Sequence, residues 1–477
     1  MASPDGRGAW SARGEVLALA SLGAPLFATS LSFAAMTSID IFFVARVGTD
    51  ALGAMALGTA VVSLVGTAIV PLFLALQTFI ARAHAAGSDD GVGRTLAHGA
   101  MMAALASGAA AFVLCHAEAV IRAAPGAGAH PAALTASAGA YCRVLAYGIP
   151  FLYLQYACTF ALRGMSRATP DLVVTLAVGL VNGVMDWALI FGKLGFAAHG
   201  LLGSAWSTNV ARAFHAAVLV AFVVARGRVR IPDRPWRTVD RTWPRAICTG
   251  PFAGLLSWDG RLAEILRVGI PGGAMALFES SPVVLIAIWM ARLGATAMAA
   301  NEIVRNLVAI AVLVPNAVVQ AMGIRIARSV GAGASAWAQR VRRLGLAVVA
   351  AYAICAALAF GLAPLRLVTL FGPAAPARDA AIALMPVAAA FVIASALRIA
   401  GVAALAAVLD TKVPMILAGA IHWAVTAPAA YALMLHTPWG ARGAWIGQAL
   451  GQALLAASLH ARFRRASGDA AIHLRGR

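Results

Sequence analysis

Three carboxylates interrupt sequence segments that are otherwise apolar enough for the interior of a lipid bilayer: Asp40, Asp186 and Glu279. A charged side chain inside a bilayer costs several kcal/mol unless it is paired or faces water. Such residues therefore usually mark the path of an ion or of a substrate across the membrane. Their presence predicts that the chain binds protons, small cations or cationic molecules within the membrane.

Four oxygen-bearing side chains are predicted to lie at a similar depth: Asp40, Asn182, Asp186 and Thr208. Asn182 and Asp186 are four residues apart and share one face of a helix. If the N-terminus is cytoplasmic, Asp40 and Asp186 lie towards the outer ends of their segments, and Thr208 lies a little over two turns into its own. Two carboxylates, an amide and a hydroxyl could bind Na⁺, and two close carboxylates could share one proton. We favour the proton; the alternative is a hydrogen-bond cluster that only fixes helix packing.

The second half of the chain carries its own ionisable residues. Glu279 lies near the middle of a predicted span, roughly 20 Å from its outer end at 1.5 Å per residue. It is predicted to contact an ion or a substrate, the alternative being a neutral, hydrogen-bonded acid. Glu302 and Arg305 are three residues apart and are predicted to pair on one helix face. Arg398 is predicted to form an ion pair with Glu279 or Glu302, because an unpaired guanidinium in a membrane is costly.

Composition predicts an all-α polytopic membrane protein. Hydrophobic residues make up 61% of the 477-residue chain, charged residues make up 12%, and the mean hydropathy is +0.84. A soluble domain carries about twice that share of charge, and a spanning helix needs roughly 20 apolar residues. Twelve segments meet this condition, near 16–44, 52–80, 95–117, 134–160, 171–192, 200–225, 264–291, 296–324, 341–363, 380–407, 413–435 and 442–461.

The formal net charge of +19 does not indicate a nucleic-acid-binding protein. The arginines concentrate before span 1, in every second loop and after span 12, which is the positive-inside pattern. We therefore expect a multi-pass protein of the plasma membrane or bacterial inner membrane with both termini cytoplasmic. The five cysteines have neither disulfide nor zinc-site spacing. No removed signal peptide is expected, because the first apolar segment is long enough to remain as a helix.

The chain is predicted to consist of two related lobes. An Arg-, Pro- and Trp-rich cytoplasmic linker at 227–263 separates a six-helix lobe at 1–226 from a six-helix lobe at 264–477, which ends in a basic tail. Pro25 corresponds to Pro271, and Pro71 to Pro315, at offsets of about 245 residues. An even number of spans per repeat gives both lobes the same orientation, related by an axis along the membrane normal. The matched prolines predict matched helix bends.

Several motifs in this order and spacing resemble the multidrug and toxic compound extrusion (MATE) family, NorM-like branch, of the MOP flippase superfamily. The resemblance covers nearly the whole chain. The motifs lie at residues 38–48 around Asp40, 161–170, 182–192 with Asn182 and Asp186, 200–208 ending in Thr208, and 269–279 with Pro271 and Glu279.

The resemblance implies two six-helix bundles that form a V-shaped cavity, and antiport in which H⁺ or Na⁺ enters while organic compounds leave. It implies that Asp40 acts with Asn182, Asp186 and Thr208, and that Glu279 is the acid typical of the NorM-like branch. The second lobe departs from the pattern, with Ser395 and Arg398 where that branch has an acid and a glutamine. We therefore expect coupling to depend mainly on the first lobe.

The leading hypothesis is a secondary exporter of small amphipathic, cationic organic compounds that acts as a monomer among membrane lipids. It needs no cofactor besides the coupling ion. A flippase for lipid-linked oligosaccharides, of the same superfamily, is the alternative. A membrane-embedded enzyme is less well supported, because the chain has no zinc-protease motif, no nucleophile elbow and no P-loop.

Overall fold

A computed structural model describes residues 12–85, 89–124, 131–165, 169–225, 261–331, 335–407 and 412–473. Helices account for nearly all of these residues, and no strand occurs among them. The predicted all-α class is therefore confirmed. Residues 227–260 of the predicted linker at 227–263 lie outside the described residues.

The helices follow one another with short connections. In the first half they are α1 (Ala12–Val47), α2 (Thr49–Ala85), α3 (Asp89–Cys115), α4 (Ala117–Ala123), α5 (Ala132–Ala146), α6 (Ile149–Gly164), α7 (Thr169–Phe191) and α8 (Leu201–Ala225). In the second half they are α9 (Arg261–Met290), a 3₁₀ turn (Ala291–Leu293), α10 (Ala295–Ala311), α11 (Leu313–Gly331), α12 (Ser335–Leu362), α13 (Pro364–Thr369), α14 (Ala375–Ala407), α15 (Lys412–Ile421), a π-helical turn (His422–Thr426), α16 (Ala427–Leu435) and α17 (Ala441–His473).

Many of these helices, alone or joined across a short break, are long and apolar enough to cross a bilayer. Within the described residues ten segments meet this condition, and an eleventh does so if α5 and α6, which meet at 52°, form one bent span. The 33-residue α17 covers the twelfth predicted span and is less apolar, because it ends in a stretch that contains Arg462, Arg464, Arg465 and Asp469. Large apolar side chains such as Leu180 and Leu362 are exposed, as expected for residues that face lipid.

Two helix interruptions lie next to prolines, one at a predicted bend and one that was not predicted. The predicted eighth span divides at Val312, between α10 and α11, three residues before Pro315. A proline cannot donate the backbone hydrogen bond that would continue the helix across this point. The predicted fourth span bends before α6, which has Pro150 in its first turn. Pro71 lies inside an unbroken α2, and the side chains of Pro25 and Pro271 lie outside the described residues.

The chain divides into two compact units. Unit 1 comprises Met1–Gly53 and Leu285–Arg477, and unit 2 comprises Ala54–Val284. In unit 2, α7 packs along α8, α6 packs against α3 and α8, and α5 packs against α3 and α8. In unit 1, α14 packs against α10, α11, α12 and α17. The lobe boundaries predicted at 1–226 and 264–477 stay a prediction.

Helix α1 is part of unit 1 and packs along α11, with further contacts to α10 and α12. Leu19 is buried in the same core as Met322, Val341 and Leu455. The side chain of Glu15, which is buried, accepts hydrogen bonds from Arg325 Nη2 on α11 at 2.5 Å and from Trp337 Nε1 on α12 at 3.1 Å. The first helix of the chain is therefore held by apolar and ionic contacts to helices of the second half.

Candidate functional site

A tight hairpin places α7 and α8 side by side. Gly192, with a φ of +69°, ends α7 in the left-handed conformation that glycine adopts without strain. Backbone hydrogen bonds from His199 N to Leu189 O, at 2.9 Å, and from Gly200 N to Ile190 O, at 3.2 Å, close the loop. A Cβ atom on Gly203 would lie 2.6 Å from the Leu189 carbonyl carbon. The two helix backbones therefore touch at the start of α8.

Asn182 and Asp186 lie together on the buried face of α7, and both are 0% exposed. Asn182 Nδ2 donates a hydrogen bond to Asp186 Oδ2 at 2.9 Å, as the four-residue spacing predicted. Ser207 Oγ on α8 donates to the backbone oxygen of Asn182 at 2.9 Å. The carboxylate is therefore fully removed from solvent and is positioned by an amide on its own helix.

Helix α8 contributes hydroxyl groups at the same level. Thr208 is buried there, one residue after Ser207. On α8, Ser204 lies between Gly203, which approaches Leu189, and Ser207, which donates to the backbone of Asn182. On α7, Asp186 lies between Asn182 and Leu189, so Ser204 and Asp186 are at a similar level of the two helices. Ser204 Oγ is buried and has no hydrogen-bond partner within the described residues. This oxygen is free to accept or donate a further hydrogen bond, or to ligate a cation.

Asp40 lies in unit 1 on α1, seven residues before the helix ends, and is half-buried. Two residues earlier, the single hydroxyl proton of Ser38 is shared between two acceptors, Asn306 Oδ1 on α10 at 3.0 Å and Ala34 O at 2.7 Å from Oγ. This contact fixes the part of α1 that carries Asp40. The grouping of Asp40 with Asn182, Asp186 and Thr208 stays a prediction, because those three residues belong to unit 2.

The predicted pairing of Glu302 with Arg305 is present on α10. Arg305 Nε donates to Glu302 Oε2 at 3.1 Å and Nη2 donates to Oε1 at 2.5 Å, a two-point contact to a carboxylate that is only 2% exposed. The neighbouring Asn301 accepts a hydrogen bond from Trp445 Nε1 on α17 at 3.2 Å. Both oxygens of Glu302 are thus engaged by Arg305.

The remaining predicted residues of the second half are only partly described. Arg398 lies half-buried on α14. Glu279 lies on α9, but its side chain is outside the described residues. The predicted ion pair of Arg398 with Glu279 or Glu302 therefore stays a prediction, as does the role of Glu279.

Four polar residues near the predicted ones were not predicted from the sequence: Ser38, Ser204, Ser207 and Asn306. The signal for two of them was present, because Ser204, Ser207 and Thr208 are spaced three and four residues apart on one helix face. No comparable signal joined Ser38 to Asn306, which are far apart in the sequence and are brought together only by the packing of α1 on α10.

A comparison with protein-family models matches the MatE family at residues 25–188 and 271–431. The starts of these two segments are separated by close to the 245-residue offset expected for an internal repeat. Among curated proteins, a "Probable multidrug resistance protein NorM" of Mesorhizobium japonicum is 29% identical over 95% of this chain and 94% of its own length. A protein of the same description from Burkholderia mallei is 30% identical over 94% of this chain and 92% of its own length.

Solved structures share the fold. A "multidrug resistance MATE family transporter of the MOP superfamily" in an inward-facing conformation has a TM-score of 0.76 and 17% identity, covering 91% of this chain and 94% of that one. A eukaryotic MATE transporter has a TM-score of 0.67 and 19% identity, covering 96% of this chain and 98% of that one. At these identities the likeness establishes the fold of the chain and leaves its activity to be argued from the residues.

Proposed function

Because the chain belongs to the MatE family, NorM-like branch, we propose that it is a secondary transporter that exports organic compounds in exchange for an inward-moving ion. The family membership predicted from the motifs is confirmed by the family model and by the relatives' identity over most of the chain. The relatives are named for multidrug resistance, and export of several chemically different compounds is proposed here by that similarity.

One observation carries the proposal: a fully buried carboxylate, Asp186, in a helix apolar enough to cross a membrane. Ionising such a group costs several kcal/mol unless a cation or a proton compensates for the charge. The amide of Asn182 contributes one hydrogen bond but no positive charge. Asp186 is therefore suited to a cycle in which it binds a cation or proton in one state and releases it in another.

We propose the proton as the coupling ion. A protonated carboxyl group is neutral and can donate to a nearby oxygen, for which Ser204 Oγ is a buried acceptor at the same level of α8. Sodium is the alternative, and the oxygens of Asp186, Asn182, Ser204 and Thr208 are of the type that binds Na⁺. In either case we propose that Asp40 on α1 is the principal coupling residue and that Asp186, Asn182 and Thr208 assist it.

The coupling requires two states that differ in affinity for the ion, because an ion shifts an equilibrium only through such a difference. We propose that neutralising Asp40 removes its charge cost and lets α1 bend at Pro25 into a second packing. The Ser38–Asn306 hydrogen bond holds this part of α1 against α10 in the present structure. Breaking and reforming this contact would accompany the change of state.

The proposed substrates are small amphipathic organic cations, because acidic residues inside the membrane attract positive charge. We also propose that the protein acts as a monomer in the bacterial inner membrane, with both termini cytoplasmic. It would need no cofactor besides the coupling ion.

The experiment uses purified protein in proteoliposomes loaded with a fluorescent organic cation. A pH gradient without Na⁺ and a Na⁺ gradient without a pH difference are imposed separately, with empty liposomes as the control. We expect export under the pH gradient alone. Export under the Na⁺ gradient alone would assign sodium instead. If neither gradient drives export, and the protein instead moves lipid-linked oligosaccharide between leaflets, the flippase alternative replaces this proposal.

A further inference from the structure

A second buried carboxylate lies in unit 2, at the opposite end of α7 from Asp186. Asp171 is in the first turn of α7 and is 4% exposed. Its Oδ1 accepts a hydrogen bond from Thr159 Oγ1 at 2.8 Å, and its Oδ2 accepts one from Arg163 Nη2 at 3.2 Å. Both donors are on α6. Along α7 the two carboxylates are roughly 22 Å apart at 1.5 Å per residue, so they are separate sites.

A histidine on the third helix faces the same carboxylate. His215, on α8, is 2% exposed, and its Nε2 lies 3.7 Å from Asp171 Oδ1. This distance exceeds the 2.7–3.2 Å of a hydrogen bond to oxygen. Within the described residues Nε2 has no hydrogen-bond partner, although it is buried. A buried ring nitrogen without a partner is costly, and this one is directed at a carboxylate that it does not quite reach.

Several ionisable groups lie on the helices around the pair. Asp171 interacts with Arg163, whose side chain is 36% exposed, and its charge also acts on the Cys158 thiol of α6. On α8, Arg212 lies one turn before His215 and acts electrostatically on Tyr153 and Tyr156 of α6. The helices packed against this group carry further titratable residues: Arg94 and His98 on α3, and Tyr141, Cys142 and Arg143 on α5. Arg167, in the connection from α6 to α7, lies outside the described residues.

We propose that Asp171 and His215 form a proton-binding site, in which a proton taken up by the imidazole converts the 3.7 Å contact into a charge-assisted hydrogen bond. The proton adds to the ring nitrogen lone pair, no covalent bond breaks, and the imidazolium donates to Asp171 Oδ1. Asp171 on α7 already accepts hydrogen bonds from α6. The additional hydrogen bond from His215 therefore links α8 to both α6 and α7. Imidazole is the ordinary protein side chain that gains or loses a proton nearest to neutral pH, which makes His215 the proton acceptor of this pair.

The proton binding itself is independent of the proposed export activity. One consequence rests on the proposed function: during transport, the packing of three helices in unit 2 follows the proton concentration on the side to which the site is open. The test therefore measures the stability of the protein and not its transport, so that a failure of ion-driven export leaves the result of the test unchanged.

The experiment measures the thermal midpoint Tm of the purified full chain at pH 5.5 and pH 8.5 for the wild type, Asp171→Asn, His215→Gln and the double variant. The coupling is the part of the Tm change that is not additive. We expect a coupling of about 2–4 °C at pH 5.5, the size of one charge-assisted hydrogen bond, and a coupling close to zero at pH 8.5. The proposal requires that the coupling is present at the lower pH and absent at the higher pH, because only the protonated imidazole donates the additional hydrogen bond to Asp171.

Thr159→Val is the matched control, because it removes a hydrogen bond to the same carboxylate from a donor that does not titrate. We expect it to lower Tm equally at both pH values. The same coupling at both pH values would show that the pair is only a packing contact and would overturn the proposal. If Asp171→Asn does not fold, His215→Gln alone decides: its Tm deficit must grow as the pH falls, and a constant deficit contradicts proton binding.

Discussion

At the residue scale, Asp186 accepts a hydrogen bond from Asn182 Nδ2, a side chain on its own helix. The four-residue spacing predicted this contact from the sequence, because i and i+4 side chains meet on any regular helix. The hydroxyls of Ser204 and Ser207 could not be assigned in the same way. Their relevance depends on the register between α7 and α8, which is set by the hairpin and by the approach of Gly203 to the Leu189 backbone.

Replacing Asn182 by Ala should destabilise the protein by about 1–3 kcal/mol, because it leaves a buried carboxylate without this donor. The measurement is the thermal midpoint of the purified protein. Asn316→Ala, at a half-buried asparagine of α11, is the control and should change stability by less than about 0.5 kcal/mol. Equal effects of the two substitutions would show that the Asn182–Asp186 contact does not stabilise the fold.

At the element scale, apolar runs predicted where helices occur, but not which helices pack together. Lipid-facing and protein-facing residues are both apolar in a membrane helix, so the sequence gives no buried face from which to infer a packing partner. The packing of α1 on α11 was therefore not predicted, nor were the partners of Glu15. The break before Pro315 was predicted because proline acts locally on its own helix.

Gly203→Ala should separate α7 from α8, because its Cβ would meet Leu189 backbone atoms, which cannot rotate away. We expect a loss of about 1–3 kcal/mol, the usual cost of overpacking, read as a lower thermal midpoint. Gly179→Ala is the matched control on α7, since its Cβ would meet nothing within 4 Å. It should be neutral or stabilise the helix by up to about 1 kcal/mol. A neutral Gly203→Ala would contradict the close approach of the two helices.

Glu15→Ala should lower stability by about 3–5 kcal/mol, because Arg325 is only 11% exposed and would lose a carboxylate partner in a buried setting. Combining it with Arg325→Ala should cost less than the sum of the two single changes. Glu118→Ala is the control, since Glu118 pairs with Arg122 at the surface, where an ion pair contributes under about 1 kcal/mol. Additive effects of Glu15→Ala and Arg325→Ala would show that the pair does not hold α1.

At the scale of the whole molecule, charge distribution predicts the orientation in the membrane, which helix packing does not report. Asp240→Cys, in the Arg-rich segment, should react with an impermeant thiol reagent only after the cells are permeabilised. Ala197→Cys, exposed in the loop between α7 and α8, should react in intact cells. Both are made in a background without the five native cysteines. Labelling with the opposite pattern would reverse the predicted topology.

The most direct test of the central claim, that a carboxylate of the first half couples ion entry to export, is pH-gradient-driven efflux from proteoliposomes without Na⁺. The variants are Asp40→Asn, Asp186→Asn and Glu279→Gln, with the exposed Asp50→Asn as the control carboxylate. We expect that Asp40→Asn abolishes efflux while leaving expression and some substrate binding, that Asp186→Asn lowers efflux strongly, and that Asp50→Asn exports at the wild-type rate. Wild-type efflux by Asp40→Asn together with no efflux by Glu279→Gln would contradict this expectation and place coupling in the second half of the chain.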